Sequence, residues 1–137
     1  MGPILTLLAV VTVSVAACGV ADLIPAAPTP LPTTDEHPAA GWGWHVSPRD
    51  RRGALGQLFD YVCPPDGGLS DIWGTDVYTD DSSICTAAVH VGLIKRETGG
   101  RVTIIIRPGL DHYRGSIRNG IVSTGYGPWD GSFVFVS

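Results

Sequence analysis

The sequence predicts an α+β domain in which several short strands surround one helix at about 82–92. Three observations predict it. Runs rich in β-branched and aromatic residues recur between Gly and Pro turn signals, the pattern of short strands. One stretch, Ile84 to Val91, carries apolar residues at helical spacing. Gly 18 and Pro 11 are high counts for 137 residues and call for many turns. That length suits one small domain with appendages.

The chain opens with a nearly continuous apolar run, Ile4 to Ala17. Its length, about 14 residues, falls short of the roughly 20 that a membrane-spanning helix needs. It fits the core of a signal peptide, here 1–17. The run ends in Val15-Ala16-Ala17-Cys18-Gly19, which resembles a bacterial lipobox. In a lipobox small side chains fit the peptidase cleft, and the Cys thiol accepts a diacylglycerol chain. The expectation is a protein outside the cytoplasm, anchored to the cell membrane by lipidated Cys18, or secreted if the lipobox is not used. Met1-Gly2-Pro3 departs from the usual basic start of an export signal. A spacer follows at 18–40. Six of the eleven prolines lie between Asp22 and Pro48, with Ala and Thr in most gaps. Such a segment buries too little apolar surface to offset its ordering entropy and favours extended conformations.

The folded domain is expected at 41–137. Trp42 and Trp44 open it. Leu55 to Val62 reads as a first strand leading into Cys63-Pro64-Pro65. In the helical stretch, Ile84, Ala87, Ala88 and Val91 share one face while Val89 lies nearly opposite, so the helix is expected to be covered on two sides. Thr79, Asp80, Asp81 and Ser82 stand where N-cap oxygens and a favourable negative charge belong, and Gly92 suits the end. A calcium site at Asp76, Asp80 and Asp81 would lack the alternating ligands and downstream Glu of a calcium loop. Val102 to Arg107 follows the turn signal Gly99-Gly100, Asn119-Gly120 marks another turn, and Ser132 to Val136 reads as a closing strand.

Composition narrows the chemistry. Charged residues are 16% of the chain and the net charge is −4, which argues against a nucleic-acid partner. No HExxH, G-x-S-x-G or phosphate-binding loop occurs. Cys85 and His90 share the helix but point about 140° apart, which does not suit a nucleophile–base pair. A zinc site of Cys63, Cys85 and His90 lacks a fourth ligand. His90 reads as a structural histidine bonded to a backbone carbonyl. No catalytic residue, metal or cofactor is expected. Three cysteines is an odd number, so one is expected to do something other than pair within the chain.

Longer blocks carry a family resemblance. Cys63-Pro64-Pro65 with Gly67-Gly68, then Ile72-Trp73-Gly74-Thr75 with Tyr78, then Ser82-Ser83-Ile84-Cys85-x-Ala87-Ala88-Val89-His90, closely resemble the LCCL domain. So do Gly115-Ser116, Asn119-Gly120-Ile121 and Ser132-Phe133-x-Phe135. The resemblance covers roughly 50–137. It implies two twisted antiparallel β-sheets wrapped around a central α-helix, and an extracellular, non-enzymatic role in adhesion or ligand binding. Trp73, Gly74, Thr75 and His90 are its structural motif residues. It also implies a Cys63–Cys85 bridge, one of two that animal members carry, with the free Cys85 thiol as the alternative. Lipidation of Cys18 then accounts for the third cysteine.

The ligand class implied is a surface polysaccharide or a lipopolysaccharide-like amphiphile. Arg107, Arg114 and Arg118 flank the turn-rich segment Pro108–Asn119 and suit phosphate or carboxylate groups. Tyr113, Tyr126 and Trp129 lie nearby in sequence and suit sugar faces. The competing readings are a solvated arginine face, core or rim packing for Trp73 and Trp129, a scaffold module whose partner is an envelope protein, and a hydrolase with an unrecognised site.

Overall fold

The computed structural model describes residues 39–137. The expected signal segment, the lipidation site Cys18 and the spacer up to 38 lie outside the described residues. Within them the order is β1 (Gly41–Trp42), a 3-10 turn (Arg49–Arg51), β2 (Leu58–Cys63), β3 (Gly74–Thr75), β4 (Val77–Thr79), α1 (Ile84–Val91), β5 (Gly100–Leu110), β6 (Ser116–Arg118), β7 (Ile121–Ser123) and β8 (Trp129–Phe135).

Two sheets enclose the helix, the α+β architecture expected from the sequence. The larger has the order β1-β2-β5-β8-β4-β3, and β6-β7 form a hairpin of their own. All pairings are antiparallel except β1 with β2, which is parallel. The helix packs against β2 and against both strands of the hairpin. This is why Ile84 to His90 are all buried and why an eight-residue helix lacks a polar face.

Local chemistry sets the ends of α1. Ser83 is the N-cap: its Oγ accepts from Thr86 N–H at 3.2 Å and donates to the Trp44 carbonyl at 2.7 Å. Gly92 closes the helix in the left-handed conformation at φ 90°. The acid–hydroxyl cluster expected to cap the helix does other work. Thr79 ends β4, Ser82 Oγ accepts from Trp73 N–H at 2.9 Å, and Asp80 pairs with Arg52. Tertiary partners outcompete a helix end that one serine already satisfies.

Element lengths differ from the sequence reading in two places. Leu55 to Gln57 form a turn, so β2 starts at Leu58. β5 runs eleven residues and carries Pro108 opposite Gly131. The short β1, β3, β4, β6 and β7 have no periodic signal of their own, since two or three residues are too few to show one. Ala40, placed in the spacer by its sequence, donates its N–H to the Asp60 carbonyl at 2.7 Å and packs against the core.

The core gathers Trp44, Tyr61, Tyr78, Ile84, Ile104, Ile106 and Phe133 with the alanines of α1. Cys63 and Cys85 are bridged, with Cα atoms 5.6 Å apart, which ties β2 to the first turn of α1. The Trp-Gly-Thr block acts as a splice between the sheets. Trp73 bridges Thr124, and Gly74 N–H bonds the Thr124 carbonyl. Thr75 Oγ1 donates to the Arg114 carbonyl at 2.8 Å. Gly74 has φ 104°, and a Cβ there would lie 2.1 Å from the Val77 carbonyl oxygen, so only glycine fits.

Candidate functional site

The most chemically varied surface is built around Trp129, the first residue of β8. Asp80, at the exit of β4, is fully buried and its carboxylate is saturated. Arg52 donates from Nε at 2.6 Å and from Nη2 at 2.8 Å, and the Trp129 indole N–H donates at 2.8 Å. A bidentate pair of this kind fixes direction as well as distance. The hydrogen bond to Asp80 is the main reason the Arg52 guanidinium holds its proton more tightly than usual. Gly131 makes room for the pair, since a Cβ there would lie 1.9 Å from Asp80 Oδ2.

This lock holds the indole upright and sets cations on it. The guanidinium carbons of Arg52 and Arg49 lie 5.5 and 5.7 Å from the Trp129 ring centroid, within the range of cation–π attraction. Tyr126 stands edge-on to Trp129 at 5.6 Å, and Trp73 edge-on to Tyr126 at 6.5 Å. The result is a row of three aromatic rings, with Tyr126 exposed and the two tryptophans half-buried. Arg49 also lines a shallow open cleft of about 540 Å³ with His45, Asp50 and Tyr61. One guanidinium therefore joins the aromatic row to the cleft.

The other candidates are distributed differently. Tyr113 is buried under the row. It exchanges backbone hydrogen bonds with Tyr126 at 2.8 and 3.0 Å, and its hydroxyl accepts from Leu110 N–H at 3.0 Å. Burial raises its pKa, and its bridge to Tyr126 holds the β7–β8 connection that presents that ring. Arg107 lies in the large sheet, Arg114 in the β5–β6 connection and Arg118 at the end of β6. Arg118 is ion-paired with Asp76 at 2.6 Å, while Arg107 and Arg114 are exposed. Asp76 and Asp80 thus face different arginines. The partnership that organises the surface, Arg52–Asp80–Trp129, was not legible, because its members stand 28 and 49 residues apart.

A second polar cluster lies between the helix and the hairpin. His90 is fully buried, with Nδ1 2.7 Å from the Tyr78 hydroxyl and Nε2 3.1 Å from Ser116 Oγ. Ser116 Oγ lies 2.6 Å from Thr75 Oγ1, which donates to the Arg114 carbonyl. One proton assignment satisfies the series: Tyr78 donates to Nδ1, Nε2–H donates to Ser116, and Ser116 donates to Thr75. Burial lowers the His90 pKa and raises that of Tyr78 to about 12, so both stay neutral. The His90 ring is thus bonded to hydroxyls, and its own backbone carbonyl accepts from Asn119 Nδ2 at 2.9 Å. With Cys85 in a disulfide, its sulfur is no thiol nucleophile for this histidine.

The LCCL domain family model matches residues 44–133, which include Trp73, Asp80, His90 and Trp129. Human cysteine-rich secretory protein LCCL domain-containing 2 is 46% identical over 61 residues, 44% of this chain and 12% of that protein. Bovine vitrin is 40% identical over 80 residues, 56% of this chain and 12% of that protein. Bovine cochlin is 41% identical over 77 residues, 55% of this chain and 14% of that protein. The matched stretch thus spans a small part of each of these longer relatives. On the family match, the fold and the shared blocks, this chain belongs to the LCCL domain family.

Proposed function

We propose that the chain is an exported, non-enzymatic binding module of the cell envelope, tethered through lipidated Cys18. Its ligand would be a surface polysaccharide or a lipopolysaccharide-like amphiphile. The supporting observation is the row Trp73–Tyr126–Trp129 with Arg49 at its end. Aromatic rings offer apolar faces to sugar C–H groups at little entropic cost, and the guanidinium suits a carboxylate or phosphate on the same ligand. The relative named as a secretory protein is consistent with a module outside the cytoplasm.

The test is binding of the full chain to immobilised envelope polysaccharide fractions, compared with Tyr126→Ala, Arg49→Ala and a paired Arg107→Ala, Arg114→Ala variant. Saturable binding weakened about tenfold or more by Tyr126→Ala and Arg49→Ala supports the reading, a change of about 1.4 kcal/mol. Loss only in the paired variant would move the site to the β5 side. No saturable binding to any glycan or lipid fraction would sink the proposal.

A scaffold reading is favoured by a different observation. Ile117 and Val122 are cross-strand partners on the outer face of the hairpin, 73% and 66% exposed. Capture of an envelope protein, abolished by Ile117→Lys, would support it.

A further inference from the structure

The turn that joins β6 to β7 holds chemistry that the aromatic row does not use. Asn119-Gly120 is the whole connection between Arg118 and its strand partner Ile121, and both residues have positive φ, 50° and 75°. A tight two-residue hairpin turn requires two left-handed residues, and Asn-Gly meets that requirement most readily. Asn119 is the only asparagine in the chain. Its side chain also reaches the helix, where Nδ2 donates to the His90 carbonyl at 2.9 Å. That carbonyl lies in the last turn of α1, where no further turn supplies a donor. One carboxamide therefore clips the hairpin to the end of the helix, beside the contact of His90 Nε2 with Ser116 Oγ.

Asparagine is a chemically labile side chain, most of all before glycine, which puts no side chain in the way of its own nitrogen. Asn119 and Gly120 are both exposed, and a Cβ at Gly120 would meet nothing within 4 Å. Attack of the Gly120 nitrogen on the Asn119 carboxamide carbon forms one C–N bond and breaks the bond to Nδ2. Ammonia leaves, carrying the proton that the attacking nitrogen gave up. Water then opens the cyclic imide at one carbonyl or the other, giving aspartate or isoaspartate. Either product sets a carboxylate where the donor to His90 stood. The His90 carbonyl loses its partner, and negative charge arrives at the helix C-terminus, the end that disfavours it. The adjacent cation, Arg118, is already paired with Asp76 at 2.6 Å. Isoaspartate also lengthens the backbone of a turn that fixes the pairing of Arg118 with Ile121. We propose that Asn119 is a site of spontaneous deamidation in the folded protein, and that the reaction releases the β6–β7 hairpin from the end of α1.

The test ages the full chain in mildly alkaline buffer, with and without urea, and maps the products by peptide mass spectrometry. Asn119 should convert to the acid in both, with isoaspartate detected by enzymatic methylation. Gln57 carries the only other side-chain amide, so released ammonia follows the same event. In the converted, folded protein the amides of β6 and β7 should exchange hydrogen about tenfold faster or more, the scale of one lost hydrogen bond. The amides of β2 and β5 should keep their protection. Asn119→Asp should show the fast exchange from the start. Asn119→Gly keeps the left-handed turn without amide or charge, so it should not convert and should exchange at a rate between Asn119→Asp and wild type. Should Asn119→Asp fail to fold, the aged wild-type chain supplies the same comparison. An Asn119 that stays amidated in the folded chain after the chain in urea has converted would overturn the proposal. So would a converted chain, or an Asn119→Asp variant, whose hairpin exchanges like wild type.

Discussion

Asp80 shows how much one residue can carry. Its carboxylate is fully buried, and both oxygens are held by Arg52 and Trp129. Removing the cation would strand a charge in the interior, whereas a surface pair would cost little. Arg52→Met should therefore destabilise the domain by about 3 kcal/mol or more, read as a shift in the urea midpoint. Arg118→Met, at the exposed Asp76 pair, should change stability by about 0–1 kcal/mol. Equal effects would mean that Asp80 finds another partner. His90 adds a pH dependence. Burial holds its pKa below the ordinary 6.5, so the ring is neutral in both folded and unfolded chains above that value and its contribution is complete there. Below it the unfolded chain takes up a proton that the folded chain resists. Stability should fall as pH drops from about 6.5 through the lower folded-state value. In thermal melts between pH 7 and pH 5, His90→Gln should flatten the decline relative to wild type; parallel curves would refute the assignment.

At the scale of elements, α1 depends on its two ends. Ser83 is an N-cap with one hydrogen bond into the helix and another to Trp44, so Ser83→Ala should cost about 1–2 kcal/mol. The bridge from Cys63 to Cys85 closes a loop with a sequence separation of 22. Reduction should lower stability by about 3 kcal/mol in the chain-entropy picture, measured as the urea midpoint with and without dithiothreitol. Circular dichroism of the reduced protein should still show a folded domain at low urea, because the core residues around the bridge remain. The helix was legible because seven of its eight residues have apolar or small side chains, with a serine before them and a glycine after. The acidic cluster was misread for an equally physical reason. Asp and Ser before a helix satisfy its end as a local rule, and only the fold shows that Ser83 alone does so.

Across the whole molecule, the contacts are long-range. β5 pairs on one side with β2, which precedes the helix, and on the other with β8, which closes the chain. The helix is far shorter than the roughly 12–15 residues that hold together alone in water. It should therefore melt with the sheets in one cooperative step, with the helical signal at 222 nm and the near-ultraviolet tryptophan signal coincident. An early loss of helix would show that the hairpin and α1 form a separate unit.

The sequence by itself determined the fold class, the helix with its glycine stop and the family blocks. Each is encoded locally: periodicity, turn chemistry and side-chain size act over a few residues, and any chain with that order must bury the same faces. Tertiary structure alone decided which polar groups meet. Arg52, Asp80 and Trp129 converge because β4 and β8 are neighbours and the 3-10 turn folds back over them. Leu58, Ile105 and Val134 align because strand register sets them side by side. Register and strand order are properties of distant segments in contact, and no window of sequence contains both partners.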